Sequence, residues 1–527
     1  MPVQLQSPAD GITEVRSQTS VPLATGEERQ TTVNVAMLAL FRIYFCVVGL
    51  FYLSSYWRNM DLFMAPFIAH RPFADSCCAL AMCSLVLLLI GWGGRAVAII
   101  QFLAVVSFLT RNFPTVSVNE QLYLILSFWT CFLPIDRRLA VERNECKAPP
   151  AAWPLHLLAI NIGVYIFSAG LFKLDDPRWI SGTFLQLLIQ SQQFSPAQFA
   201  NLATLAVPLK MVNYGIMAFE LLWLPLFYLP KTRTISLALL FSFFFGLIVP
   251  IRLDWIGEMG LCYVLALASM SPSIAKYADA ALARFTRRTK SSFDTTVMTS
   301  PAIAQLQSRP TFDRLCFAFV LALLMIGSFN ALALSPWRLC QPNNADSLRD
   351  NVLRPLALHE PAWLRSLIGH TVFLGPKNMF TSDQFKYVKR AFSFRIIVHM
   401  KDGRILEPVK NAGTWRESGA LGFLNIKYGC LLFVAVCKVL DSSDTDKAAK
   451  PEDLRNLEYV MQWAADRAGT QVEYADLIAA PEDEAGKIGD WHLYYKWTPE
   501  RGLISQYQKS SLVQHATNSA MRAVPKV

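Results

Sequence analysis

Nine apolar blocks run through the first two thirds of the chain, at roughly 35–57, 77–93, 95–110, 118–134, 152–173, 211–229, 234–251, 257–272 and 312–334. Each is near the ~20 residues that a bilayer core requires of a helix. The blocks are apolar on all sides, as helices surrounded by lipid or by other helices are. Between the fifth and sixth, Thr183 to Lys210 is different. Leu187 and Leu188 share one helical face and Gln186, Gln190, Gln192 and Gln193 another, which predicts one or two amphipathic helices lying in the interface. The pattern predicts an all-α multi-pass membrane bundle of about nine transmembrane helices.

A different pattern begins after residue 340. Phe392 to Met400 alternates, Asp402-Gly403 turns the chain, and Arg404 to Pro408 returns, which is a hairpin signal. Gly429 to Leu440 and Trp491 to Trp497 read as further strands, and Asp453 to Arg467 as a helix. A C-terminal α+β soluble domain is the expectation. The division predicted is a cytoplasmic tail at 1–33, a transmembrane domain at 34–275, a basic cytoplasmic loop at 276–311, a final transmembrane helix at 312–334 and an extracytoplasmic α+β domain at 340–527. The first 33 residues carry no apolar signal-peptide region and read as disordered.

Composition agrees. The 527 residues are 53% hydrophobic and 17% charged, where a soluble domain averages about 25% charged. The net charge of +10 does not point to nucleic acid, because Lys and Arg collect in the connectors between apolar blocks. Arg137, Arg138, Arg143 and Lys147 follow the fourth block, Lys231 and Arg233 the sixth, and Lys276, Arg284, Arg287, Arg288 and Lys290 the eighth. The positive-inside bias places all three connectors in the cytoplasm. Counting blocks then puts the N-terminus inside and the C-terminal domain outside a plasma or bacterial inner membrane. Eleven cysteines include no CxxC pair and no zinc spacing, so neither a disulfide framework nor a metal site is expected.

Residues inside or at the edges of the blocks are the candidates for function, because charge is costly in a bilayer. They are Arg42, Asn119, Glu120, Asn161, Lys173, Asp175, Asp176, Trp179, Glu220, Arg252, Asp254 and Glu258. On the predicted topology Lys173, Glu120, Arg252, Asp254 and Glu258 reach the outer side and line one outward-facing cavity. Glu220 and Arg42 lie deeper and are expected to form a structural pair. A desolvated lysine gives up its proton more readily and can serve as a base. The opposing reading is a snorkelling Lys173 paired with Asp175 or Asp176 at the interface. His70, His156 and His359 stand alone and read as structural.

Tyr165 to Gly182 contains Gly170, Lys173, Leu174, Asp175, Trp179 and Gly182, and resembles the Gly-x-x-Lys-Leu-Asp…Trp…Gly signature of the vitamin K-dependent gamma-carboxylase family. That family shares its membrane region with bacterial HTTM (horizontally transferred transmembrane) proteins. Leu38 to Ile43, with Phe41 and Arg42, resembles the opening helix. Asn119, Glu120 and Tyr123, with Leu133 to Asp136 after them, resemble the family's Asn-His-x-x-Tyr helix, and Gly260 to Pro272 its last core helix. The resemblance covers about 34–275.

It implies that Lys173 holds the place of the base acting on a quinone or vitamin K-like cofactor, with Glu120 as a second catalytic candidate. Asn119, Tyr123, Asp175, Trp179, Arg252 and Glu258 are the implied lining of a substrate or cofactor pocket. The family's histidine after Asn is Glu120 here, and the histidine before the last core helix is absent, so the scaffold carries over and glutamate carboxylation does not. The expected function is to modify or mature an extracytoplasmic substrate. The alternative is a non-catalytic anchor whose outer domain binds a secreted or envelope partner. A transporter ranks below both, for want of an internal repeat.

Overall fold

The computed structural model describes residues 33–57, 71–109, 118–136, 139–141, 151–174, 176–190, 197–249, 255–289, 310–334, 392–410, 439–440, 449, 451–469, 471–481 and 492–505. The expected tail, Asp175, Arg252, Asp254, His70, His359 and most of the expected strand at 429–440 lie outside these residues. So does the Asn119 side chain.

Each of the nine apolar blocks contains a helix. In chain order these are α1 (Val35–Trp57), α2 (Arg71–Ile90), α3 (Gly94–Leu109), α4 (Val118–Thr130) and α5 (Trp153–Leu174). Two short helices follow, α6 (Pro177–Ser181) and α7 (Phe184–Gln190), then a 3-10 helix (Ala197–Thr204). After them come α8 (Ala206–Tyr228), α9 (Arg233–Ile248), α10 (Ile256–Ala268), α11 (Pro272–Thr289) and α12 (Pro310–Leu334). Among the described residues four helices are long and apolar enough to cross a membrane: α1, α2, α5 and α8. α10 and the start of α11 make a fifth if that pair, bent by 97°, is one span. α3, α9 and the described part of α12 are apolar but shorter, so a bundle of nine full-length spans goes beyond what the helix lengths carry.

Inter-helix hydrogen bonds fix which ends lie together. Asn34 N donates to Ser269 O at 3.0 Å, Val141 N to Ile90 O at 3.0 Å, Tyr228 Oη to His156 O at 3.1 Å, and Arg233 Nη1 to Met270 O at 3.0 Å. The starts of α1, α5 and α9 therefore share one end with the terminations of α2, α4, α8 and α10. Neighbouring helices alternate in direction, and the Lys173 end of α5 lies at the other end of the bundle. α1 packs on α2 and α10, α4 on α3 and α10, and α8 on α5 and α9. Outward-facing apolar side chains such as Phe51, Leu80, Leu103 and Leu222 stay exposed, as lipid-facing positions do.

The connector from 183 to 210 folds as expected into two short helical pieces, with Leu188 buried and Gln186 donating to Ala203 O at 3.1 Å. The connector expected as a basic loop from 276 is instead helical as far as Thr289. Its Ile274 and Ala278, one turn apart, pack against the bundle core, and Asn34 Nδ2 donates to Asp279 Oδ2 at 2.6 Å.

The C-terminal region forms a five-stranded antiparallel sheet of order β2-β1-β3-β4-β5. Its strands are β1 (Phe392–Met400), β2 (Ile405–Lys410), β3 (Val472–Pro481), β4 (His492–Thr498) and β5 (Gly502–Ser505). α13 (Pro451–Ala468) lays Leu457, Met461 and Ala464 on the buried sheet face of Ile396, Val398, Leu477 and Trp497. The expected hairpin is β1–β2, turned at Gly403, whose φ of 82° suits glycine. β3 and β5 lie outside the strands that the sequence pattern predicts.

Candidate functional site

Lys173 occupies the last turn of α5 and Glu220 the middle of α8. Two glycines bring these helices together. An added Cβ at Gly163 would lie 2.5 Å from Leu224, and one at Gly170 3.0 Å from the Glu220 Cβ. Small residues of this kind let membrane helices approach closely. The result is a two-pronged ion pair, with Lys173 Nζ 2.5 Å from Glu220 Oε1 and 2.7 Å from Oε2, and side chains only 3% and 2% exposed.

The chain after Lys173 is shaped by the residues of the signature. Asp176 caps α6, its Oδ1 accepting from Arg178 N at 2.9 Å, and Pro177 opens the helix where a missing N–H costs nothing. Gly182 ends α6 at φ 76°, and an added Cβ there would lie 2.5 Å from the Lys210 side chain. The short helix so formed holds Trp179 against Phe184, with ring centroids 4.4 Å apart, and places the indole 5.0 Å from Lys173 Nζ. An ammonium over an indole face is attracted by the ring quadrupole. Asn213 Nδ2 of α8 donates to Trp179 O at 2.9 Å.

Beside this pair lies a cavity of about 470 Å³, walled by Trp179, Leu188, Leu209, Ile216, Phe219 and Phe243 among others. Among the described residues Lys173 is its one ionic lining residue. The volume falls within the ~300–1,000 Å³ of small-molecule sites, which are largely apolar with few polar groups.

The expected outward cavity gathers fewer residues than the sequence suggested. Of its described members only Lys173 and Trp179 line the cavity. Glu120 is buried in a separate sector between α1, α4 and α10, where its Oε1 accepts from Tyr52 Oη at 3.0 Å and from Tyr56 Oη. Tyr123 is buried nearby and accepts from Gln101 Nε2 at 3.1 Å. Glu258 sits half-buried in the first turn of α10 and does not line the cavity.

The expected Arg42–Glu220 pair is not formed. Arg42 donates to Ile135 O at 2.7 Å and to Leu139 O, tying α1 to the chain after α4, and α8 packs on α5 and α9, away from α1. Glu220 therefore takes its cation from α5. His156 stacks on Tyr228 at 5.9 Å. Among the described residues no group of three His, Cys, Asp or Glu side chains could hold a metal ion.

An apolar helical bundle with a buried charge pair at the wall of an apolar cavity defines an integral membrane protein. Residues 30–248 match the family model of the HTTM domain, so the chain carries an HTTM domain there. The resemblance to vitamin K-dependent carboxylase is consistent with that domain. The match covers α1 to α9 and stops short of α10, whose likeness to the last core helix rests on its own residues. No curated protein and no solved structure matches the chain.

Proposed function

We propose that this is a multi-pass membrane enzyme that modifies or matures an extracytoplasmic substrate, with Lys173 and Glu220 as its reacting pair. The observation that carries the reading is the buried ion pair at the wall of the cavity. In so apolar a wall the ammonium–carboxylate form and the amine–carboxylic acid form differ by one proton moved along the 2.5 Å contact. In the second form Lys173 Nζ is a free amine facing the cavity, able to take a proton from an acidic O–H or C–H held there. Glu220 orients Nζ through both carboxylate oxygens, and the Trp179 ring lies 5.0 Å from it.

The apolar lining with one ionisable pair fits a lipid-soluble group of the quinone class, which would supply redox chemistry when bound. The positive-inside bias, applied to Arg95, Lys231 and Arg233 at the opposite end of the bundle, directs Lys173 outward. On this reading the nine helices all cross a bacterial inner or plasma membrane, with the sheet domain outside.

The test compares secreted and envelope peptides by mass spectrometry in host cells lacking the protein, complemented with wild type, Lys173→Met or Glu220→Gln. A mass difference restored by wild type and by neither variant supports the enzyme. Equal restoration by all three removes it and leaves the non-catalytic anchor, for which pull-down by the outer domain would then have to supply a partner.

A further inference from the structure

α10 runs antiparallel to α1. Its end meets the start of α1 where Asn34 N donates to Ser269 O at 3.0 Å, and Trp255, just before its first turn, meets Tyr52 with ring centroids 6.3 Å apart. α1 is long and apolar enough to cross a membrane. The axis of α10 then turns by 97° into α11. α11 therefore runs across the end of the bundle, along the plane of the membrane that α1 crosses. The elbow is braced by its neighbours. Arg233 Nη1 of α9 donates to Met270 O at 3.0 Å, the Ser271 and Thr234 hydroxyls lie 3.2 Å apart, and Asn34 Nδ2 donates to Asp279 Oδ2 at 2.6 Å.

α11 has 18 residues, a length of about 27 Å. Ile274 and Ala278 pack on the core, and helical spacing places Ala281, Leu282 and Phe285 on the same face. Away from that face Lys276 and Tyr277 are exposed, the tyrosine at 76%. Arg287 falls eleven residues after Lys276 and so on its stripe. Arg284 and Arg288 fall seven and eleven residues after Tyr277 and so on the neighbouring one. The helix carries four basic residues and one acid, and that acid, Asp279, is the one held by Asn34. A face kept merely soluble mixes both signs. A helix in the membrane plane with an apolar face and a basic face flanked by an aromatic ring is the form of an interfacial helix.

We propose that α11 is a docking surface for the anionic phospholipid headgroups of the leaflet it lies along, at the end of the bundle opposite Lys173. Lys276, Arg284, Arg287 and Arg288 supply the charge, and Tyr277 sits at headgroup level. An anionic leaflet attracts basic residues within a Debye length of its surface. The inference is independent of the reading of Lys173, because it concerns the other end of the bundle and its test needs no substrate.

The experiment uses the full chain in phosphatidylcholine nanodiscs containing a minor share of one photoactivatable probe. The probe is a phosphatidylglycerol or a phosphatidylcholine, each with a diazirine at the headgroup end of an acyl chain. Cross-linked peptides are counted by mass spectrometry. Peptides of α11 are expected to take the phosphatidylglycerol probe at least about tenfold more than the phosphatidylcholine probe, and raised salt to lower that ratio. Neutralising Arg284, Arg287 and Arg288 together to Gln is expected to bring the ratio to about one, with labelling of α8 unchanged. Should that variant fail to fold, Lys276→Gln alone is expected to lower the ratio about fivefold, the worth of one basic residue at an anionic surface. Arg95→Gln with Lys231→Gln removes other charge from the same end and is expected to leave the α11 ratio as it was. A wild-type ratio near one, a ratio that survives neutralisation of α11, or an equal fall on removing Arg95 and Lys231 overturns the inference.

Discussion

Replacing Lys173 with methionine keeps most of the side-chain length and removes only the charge and its donors. Glu220 is then left as a carboxylate 2% exposed, with both oxygens stripped of the donor that held them at 2.5 and 2.7 Å. Breaking one side of a buried pair costs about 3–5 kcal/mol, most of it from the charge left behind. The hydrogen bonds alone would not reach that figure, since polar side-chain interactions between membrane helices average about 0.6 kcal/mol. Losing the cation over Trp179 adds about 0.5–2 kcal/mol.

The double replacement Lys173→Met with Glu220→Met removes both charges and is expected to recover most of the loss, because apolar substitutes for a buried pair are often neutral. The assay is reversible unfolding in mixed micelles followed by circular dichroism, arranged as a double-mutant cycle. Either single variant costing under about 1 kcal/mol, or a double variant as costly as the two singles added, would show that the two charges are not held against each other out of water.

Arg42→Met should destabilise by about 1.5–3 kcal/mol for each of the two carbonyl contacts it loses, and Arg42→Lys by less, read as a fall in unfolding midpoint. Cysteines placed at Lys231 and Ser181, at opposite ends of the bundle, should react with an impermeant thiol reagent from opposite sides of the membrane, and labelling of both from one side would break the alternation of helices. In the β1–β2 turn, Arg404 donates to Asp402 from its backbone N at 3.0 Å and from Nε at 2.6 Å, which holds the Asp402 carboxyl below its usual range. A depressed folded value means the contact contributes above the ordinary aspartate range and is lost as pH falls through the lowered one, so carbon-detected NMR of labelled aspartate should show Asp402 titrating late on acidification, and Arg404→Ala should return it to normal. Burial, with Asp476 and Glu473 nearby, raises the Tyr474 phenol, so Tyr474→Phe should remove a tyrosinate absorbance that appears only above the ordinary tyrosine range.

The sequence showed where helices lie and not which of them touch. Apolar blocks are a local signal, and each of the nine contains a helix whose bounds shift by a few residues, as where α2 begins at Arg71, earlier than the run from 77 suggests. The partner of Glu220 depends on neighbour relations that hydropathy does not encode. Gly163 and Gly170, spaced to fall on one face of α5, were the available sign that α8 approaches there. The roles of Asp176, Trp179 and Gly182 were visible as a signature, but their reasons, a cap, a stacked ring and a left-handed turn, appear only in the fold. The basic run after 276 hides a helix because its charges mask the Ile274–Ala278 spacing. β3 escaped notice because its buried Ala475, Ala479 and Ala480 carry little strand preference, and β5 because it has four residues.

Gly215 and Gly246 were open to two readings in the sequence, since a glycine in a membrane helix can mark either a tight crossing or a space. The cavity decides between them. An added Cβ at either position meets no heavy atom within 4 Å, and both residues line the cavity wall, so here the two glycines border a space and close no crossing, unlike Gly163 and Gly170.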